Sequence, residues 1–353
     1  MDVSINKVLN QSSPMNARNP LWQLAWSAGL AVLTLWLLAG CVVTQKASRQ
    51  MAELANLAKG EYYLKRGKYQ SGITDLEQEV RENPRDADLF YYLGRYHMAL
   101  DHVAPAGRYF NHAVKLEPDN ADYCFWQGVA QGAVGEKRRE RQTYGRCLEL
   151  DPDHPQVLIY LGNNLLQAKQ YQGALDMYRR ALDQTPANPQ VLYNRAYAMN
   201  RLQRTPEAIA AWKIYLAYYP AGQLALRAVR HLNRLGDFDY RVYLIGRRRL
   251  VMPRIGFYPL TAQIEPVVKA RLDSVARILL KNPQLVLQIL AFQKNNLPLA
   301  KARAQEIKRV LLDRYPAIDA QRIQVSWFKV PQELPVRDGK RRLESSIHLF
   351  TTH

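Results

Sequence analysis

Hydrophobic and polar positions between about residues 53 and 220 repeat with a fixed period. Prolines recur every thirty-four residues, at Pro84, Pro118, Pro152, Pro186 and Pro220. A small residue keeps the same spacing, at Gly60, Gly94, Gly128, Gly162 and Ala196. A proline cannot continue a helix, and small residues let two helices approach closely. The pattern therefore predicts five pairs of short helices, each pair closed by a proline.

Two further rows of positions keep the register and fall on the second helix of each pair. The first row is mostly small: Gly72, Ala106, Glu140, Ala174 and Ala208. The second row is large and apolar: Leu76, Phe110, Tyr144, Tyr178 and Trp212. With these four rows, residues 53–220 resemble five repeats of the tetratricopeptide family. The resemblance implies an α-helical solenoid with a concave groove.

A capping helix is predicted directly after the fifth repeat, within residues 221–237. The segment Gln223 to Leu235 places apolar residues at near-helical spacing, and Gly236 ends it. A solenoid needs such a helix, because the last repeat would otherwise leave an apolar face uncovered.

The family register implies which side chains face the groove. These are Tyr91, Arg95, Phe125, Asn163, Tyr193, Tyr197 and Asn200. Aromatic, arginine and asparagine side chains on one face suit recognition of a peptide or helix of a partner protein. Ordinary surface and helix packing is the alternative. The Lys/Asn set that grips a free C-terminal carboxylate in some tetratricopeptide proteins is not evident.

Residues 238–353 show a different pattern, in which strands alternate with single helices. Strands are predicted at 250–258, 284–291, 322–329 and 345–350, and helices at 264–281 and 299–315. This order indicates a small α/β sandwich in which two helices cover one sheet.

Several residues of this region resemble the OmpA-like domain, a peptidoglycan-binding fold. They are Leu272 through Asn282-Pro283, Ile289, Ala291, the run Leu299–Ala304 and Arg341-Arg342. The resemblance implies that Arg303 grips a carboxylate of the wall peptide, together with an aspartate at the end of the preceding strand. Residues 292–296 read FQKNN and contain no acid, and Lys294 would repel a ligand ammonium. Wall binding therefore competes with a protein-docking or structural role, and Arg303 could instead be exposed or paired with Glu306 or Asp313.

The N-terminus carries an apolar run, Leu21 to Val43, which follows Lys7 and Arg18 and contains Leu38-Ala39-Gly40-Cys41. It resembles a bacterial lipoprotein signal, with residues 1–40 removed, Cys41 lipidated and 41–52 a tether. A single transmembrane anchor is the alternative. Met15 would give a signal of conventional length. The absence of Asp after Cys41 implies, by resemblance to enterobacterial lipoproteins, outer-membrane delivery with the chain facing the periplasm.

The formal net charge is +18. Between Asp239 and His353 there are 21 Lys and Arg residues against 9 Asp and Glu. A basic surface suits an anionic partner: nucleic acid, lipid headgroups or an acidic wall polymer. A periplasmic location argues against nucleic acid.

Catalytic and metal-binding patterns are not evident. Four histidines are scattered through the repeats, and no nucleophile arrangement, phosphate-binding loop or cofactor motif accompanies them. Cys124 and Cys147 could pair, but buried free thiols are favoured, and neither has a ligand partner for a metal. The expected function is a non-enzymatic envelope scaffold whose groove recruits proteins for a pilus, secretion or wall-synthesis machine. A peptidoglycan tether is the alternative.

Overall fold

The fold is described from a computed structural model, which covers residue 51, residues 54–336 and residues 339–352. The chain divides into two compact units, Met1–Val134 and Gly135–His353. The apolar run 21–43 and Cys41 lie outside the described residues. Within the described ranges, no helix is both long and apolar enough to cross a bilayer.

Helices follow one another through both units in the predicted pairs. The first unit contains α1 (54–66), α2 (Tyr69–Glu82), α3 (Ala87–Ala99), α4 (Val103–Leu116) and α5 (Ala121–Ala133). The second contains α6 (Lys137–Leu150), α7 (Pro155–Gln167), α8 (Tyr171–Gln184), α9 (Pro189–Arg201), α10 (Thr205–Tyr218) and α11 (Gly222–Arg234). Odd-numbered helices from α1 to α9 lead each repeat, and α11 is the predicted capping helix.

Local chemistry sets the ends of these helices. Each second helix stops two residues before a periodic proline, because the residue preceding proline disfavours the helical conformation. Three leading helices have an N-cap residue whose side chain accepts a hydrogen bond from a backbone N–H of the first turn. These residues are Asp86, Asn120 and Asn188. At α7 the ring nitrogen of His154 accepts from the N–H of Val157 instead.

The turns inside the repeats share one unusual backbone conformation. Gly67, Asp101, Gly135, Lys169 and Gln203 are thirty-four residues apart, and each has φ between +58° and +84°. Glycine adopts this left-handed conformation without a steric cost, whereas Asp101, Lys169 and Gln203 adopt it with a side chain. The turn geometry is therefore set by the repeat, not by glycine alone.

Close helix contact explains the row of small residues. A Cβ atom on Gly94 would lie 2.5 Å from the ring of Phe110, and one on Gly162 would lie 2.6 Å from the ring of Tyr178. Glu140 interrupts the row of small residues on the second helices, which otherwise contains Gly72, Ala106, Ala174 and Ala208. It is buried, and it accepts hydrogen bonds from the Asn164 amide at 2.9 Å and the Lys137 ammonium at 3.1 Å.

Both repeat cysteines, Cys124 and Cys147, are fully buried and disulfide-bonded. The expectation of free thiols is therefore wrong. The sequence gives the positions of the two residues but not the geometry of their Cβ atoms, which decides whether a thiol can pair.

A mixed five-stranded sheet and two helices form the last part of the second unit. The strands are β1 (Tyr240–Ile245), β2 (Arg248–Pro253), β3 (Val286–Gln293), β4 (Ile323–Phe328) and β7 (Ser345–Thr352), in the order β2-β1-β7-β3-β4. Strands β5 (Gln332–Val336) and β6 (Gly339–Leu343) form a separate hairpin. The helices are α12 (Pro266–Lys281) and α13 (Leu297–Arg314).

The two helices cover one face of this sheet, as predicted. Leu272 of α12 and Ile307 of α13 join Ile289 and Leu349 of the sheet in one buried core. Two hairpins, β1–β2 and β5–β6, were not predicted. The strand expected over 250–258 is wrong beyond Pro253, where Phe257 makes only an isolated bridge to Ile264.

The capping helix shares its core with the sheet. Val229 and Leu232 of α11 are buried together with Tyr240 of β1, Val251 of β2 and Trp212 of α10. The first strand pair therefore helps to cover the last repeat.

Two glycines of the second unit give opposite predictions. Gly162→Ala adds a Cβ against the buried ring of Tyr178, and such overpacking costs about 1–3 kcal/mol. Gly145→Ala on α6 meets nothing within 4 Å and gains up to about 1 kcal/mol of helix propensity. Thermal and denaturant unfolding of both variants should give lower stability for the first and higher stability for the second. Equal effects would contradict the packing explanation.

Candidate functional site

In the first unit, Arg95 and Tyr91 lie one turn apart on α3. The guanidinium of Arg95 donates to the Tyr91 hydroxyl and lies 4.1 Å from the ring centroid of Trp126 on α5. A cation over an aromatic face is held by the ring quadrupole. Trp126 was not predicted, although it lies between Phe125, a predicted groove residue, and Gln127 on the same helix. Arg95, Tyr91 and Trp126 form one ordered patch.

Phe125 does not line a groove. Its side chain is 4 % exposed, so the ring belongs to the packed interior and offers no surface to a ligand. The family register places a residue on a helix face, but large neighbours can still cover it.

In the second unit, α9 places Tyr193, Tyr197 and Asn200 on successive turns. Tyr197 meets the ring of His231 edge to face at 6.0 Å, and the Asn200 amide nitrogen lies 3.3 Å from His231 Nδ1. His231 in turn stacks on the buried Trp212 with ring centroids 4.7 Å apart. These contacts extend the predicted surface from α9 onto α11.

The repeat register accounts for this extension. Thirty-four residues beyond Tyr193, Tyr197 and Asn200 stand Arg227, His231 and Arg234, all on α11. We call these six residues the terminal inner face. The predicted groove residues ended at Asn200, so Arg227, His231 and Arg234 were assigned only to the capping helix. Counting one more period along the chain would have found them.

Asn163 on α7 is held by internal hydrogen bonds. Its carbonyl oxygen accepts from the Tyr178 hydroxyl and from the Asn194 amide, both at 2.8 Å. Helix α7 also contacts α9 directly, so the leading helices form a continuous layer. Asn163 therefore links α7 to α8 and α9 through its carbonyl oxygen.

The leading layer of the second unit is strongly basic. Helices α7, α9 and α11 contain no Asp or Glu, whereas α9 and α11 carry Arg195, Arg201, Arg227, Arg230 and Arg234. Burial raises the pKa of Tyr193, and Arg227 and Arg230 act in the opposite direction. Burial lowers the pKa of His231, and Arg234 and Arg230 lower it further. Several positive charges therefore lie near these aromatic rings.

A second candidate site surrounds Arg303 on α13. The side chain is 7 % exposed and donates to the carbonyl oxygen of Thr261 at 2.9 Å, the amide oxygen of Gln293 at 2.7 Å and the hydroxyl of Ser345 at 2.6 Å. All three acceptors are neutral, and burial lowers the pKa of Arg303.

The alternative of an exposed or ion-paired Arg303 is wrong: Glu306 and Asp313 pair with Arg309.

The Arg303 guanidinium borders a pocket of about 280 Å³. Arg241, Arg254 and Arg341 also line the pocket, together with Ser345, Ser346 and the acids Asp237, Asp239 and Glu265. Asp237 and Asp239 are both engaged by Lys213 at 2.6 Å. The acids that line the pocket therefore balance only part of the positive charge of its arginines.

Gln293 ends β3, where the OmpA-like resemblance implies an aspartate. Its amide oxygen binds Arg303, so a neutral group occupies that place. Lys294 pairs with Glu344 at 2.6 Å, which partly offsets its charge. Among the residues described, no group of His, Cys, Asp and Glu side chains could hold a metal ion.

Comparisons with known sequences identify the repeats. Tetratricopeptide repeat profiles match residues 57–121, 162–203 and 190–221. Human Superkiller complex protein 3 is 34% identical over 91 residues, which is 26% of this chain and 5% of that protein, and the mouse protein matches equally. The chain spans about 5% of the length of these curated relatives. The helical array therefore consists of tetratricopeptide repeats, the class of module through which proteins bind other proteins.

Several solved structures are similar to about half of this chain. The PilF structure from Pseudomonas aeruginosa has a TM-score of 0.48 at 20% identity, covering 54% of this chain and 85% of that chain. A MamA structure gives 0.43 at 16% identity, covering 48% and 97%. YrrB, described as a tetratricopeptide protein with an unusual peptide-binding site, gives 0.43 at 15% identity, covering 48% and 87%.

Acidification should weaken the fold through His231. Because its pKa in the folded protein is lowered, the neutral form is favoured, and its stabilising contribution is complete above the ordinary histidine pKa. That contribution is lost as the pH falls below about 6.5 towards the lowered value. Thermal unfolding between pH 7 and pH 5 should show falling stability, and His231→Gln should reduce the fall. An unchanged pH dependence in the variant would exclude His231 as a cause.

Proposed function

We propose that this protein is a non-enzymatic scaffold of the bacterial envelope, lipid-anchored at Cys41 in the outer membrane and facing the periplasm. Its tetratricopeptide repeats recruit other envelope proteins to an assembly such as a pilus, a secretion channel or a wall-synthesis complex. The terminal inner face carries this proposal, because it places aromatic, amide and arginine side chains on two adjoining helices. Such side chains dominate the energetics of protein interfaces.

The envelope location rests on the N-terminal sequence. The apolar run ending in Leu38-Ala39-Gly40-Cys41 resembles a lipoprotein signal, and the residues after Cys41 suit outer-membrane delivery. A chain displayed in the periplasm meets proteins, lipid and wall polymer, which is consistent with its basic composition. Nucleic acid and a cofactor play no part in this proposal.

Crosslinking at the inner face tests the scaffold function. A photo-reactive residue in place of Tyr197, introduced into the full chain in its bacterial host, should give a protein adduct of defined mass. The same residue in place of Ile214, an exposed position on α10, should not give that adduct. The adduct should diminish in Cys41→Ser, because the chain would no longer be held at the membrane. Identical adducts at both positions, or none at Tyr197, would contradict the proposal.

A second candidate function is attachment to peptidoglycan through the Arg303 pocket. The specific observation in its favour is a buried guanidinium whose partners are all neutral, beside a pocket that could admit a carboxylate. A charge held in this way is strongly attracted to an anion that enters, because little water competes. The neutral Gln293 disfavours a ligand ammonium that an aspartate would bind.

Sedimentation with purified sacculi tests this second function. The full chain should be used, because Tyr240 and Val251 share a core with α11 and cutting before the sheet would expose it. Arg303→Lys keeps the charge but loses the planar fork of donors, so binding should fall about tenfold or more. Arg309→Lys on the exposed side of the same helix should have little effect. Gln293→Asp should strengthen binding. Binding that salt removes equally in all variants would contradict a specific pocket.

A further inference from the structure

The arginines of α11 set the chemistry of the partner. Arg227 and Arg234 are exposed, and the ion pairs of the described second unit include neither. The helix dipole accounts for a cation in the last turn, where Arg234 stands. It does not account for Arg227 in the middle of the helix. Two cations thus stand two turns apart on the terminal inner face, and no acid of the described second unit forms an ion pair with either.

The opposite wall of the same surface is neutral. Helix α7 carries neither an acid nor a base, and its Asn163 accepts a hydrogen bond from the amide of Asn194 on α9. Tyr193 and Tyr197 lie between this wall and α11, with partly exposed rings. A ligand that fits must therefore carry negative charge along one side and uncharged groups along the other.

We infer that the terminal inner face binds an acidic segment of a partner protein, with carboxylates spaced to meet Arg227 and Arg234 and an apolar or aromatic side facing Tyr193 and Tyr197. This inference rests on the proposed scaffold function and deepens it. A peptide can place acids on one side only, because its side chains alternate or recur with the helical period. A nucleic acid strand carries a phosphate at every nucleotide and would set charge against the neutral wall as well.

The distance between the arginines fixes the spacing of the acids. Arg227 and Arg234 are seven residues apart, two turns of one helix, and about 10 Å along its axis at a rise of about 1.5 Å per residue. Carboxylates seven residues apart on a helix, or about three residues apart in an extended strand, span the same length. The pair of arginines therefore selects for repeated acids and not for a single terminal carboxylate.

Three synthetic peptides of equal length test this inference. They share tyrosine and leucine positions and carry Glu, Gln or Lys at the charged positions. Fluorescence anisotropy with the full chain in non-ionic detergent should show that the Glu peptide binds at least about tenfold more tightly than the Gln peptide. Its affinity should fall as salt is raised, and the Lys peptide should bind most weakly.

Matched charge reversals locate the effect. Arg227→Glu/Arg234→Glu should weaken binding of the Glu peptide by at least about tenfold and favour the Lys peptide. Arg138→Glu/Arg179→Glu makes the same charge change at exposed positions of α6 and α8, the following helices, and should change affinity by about twofold or less. Circular dichroism and thermal unfolding of both double variants confirm that each is folded.

Several results would overturn the inference. Equal binding of the three peptides, binding of none, or equal losses in the two double variants would each do so. A single-stranded oligonucleotide that competes as strongly as the Glu peptide would point to a nucleic acid instead. The scaffold proposal is tested independently of these results, because crosslinking at Tyr197 does not depend on the charge of the partner.

Discussion

Helix pairs of this protein depend on contacts too short for a side chain. Gly94 faces Phe110 and Gly162 faces Tyr178 at distances that leave no room for a Cβ atom. Once two helices lie this close, the connecting turn must reverse the chain within a few residues, and the left-handed turn residue does so. The large ring beside each glycine then fills the remaining space. A repeat of fixed length follows, because any insertion would move the glycine away from its ring.

Arginine is presented in two physically different ways on this scaffold. Arg227 and Arg234 stand in solvent, so water and salt screen their charge. Exposed charges of this kind contribute more to the rate and specificity of association than to affinity. Arg303 is buried among neutral oxygen atoms, so its charge acts over a short range and with fixed geometry. The first arrangement suits selection among protein surfaces, and the second suits recognition of one small anionic group.

The repeats could be predicted from the sequence because each is specified by local rules. Proline stops, small residues and large apolar residues recur at a spacing that only helix pairs satisfy, so the helices α2 to α11 lie where expected. The sheet domain was predicted less completely. Its hairpins, β1–β2 and β5–β6, are fixed by pairing between neighbouring strands, and the Arg-rich turn near Gly246 did not give a recognised turn signal.

Side-chain environments were the least predictable feature. Phe125 stands at a position that the family register assigns to the groove, yet it is buried. Arg303 is buried with neutral hydrogen-bond acceptors and no acidic partner. Both repeat cysteines are disulfide-bonded. Each outcome depends on which neighbours arrive from distant parts of the chain. His231 was missed for a simpler reason, because the period continues into a helix that was interpreted only as a cap.

The core shared by α11, β1 and β2 has a consequence for how the protein is made. Val229 and Leu232 gain their partners Tyr240 and Val251 only after those residues have left the ribosome. Until then the end of the array exposes an apolar surface, which favours non-specific association with other chains. The final folding step therefore waits for the C-terminal part of the chain, and a truncation before Tyr240 would leave a helical array that is complete in its repeats yet prone to aggregate.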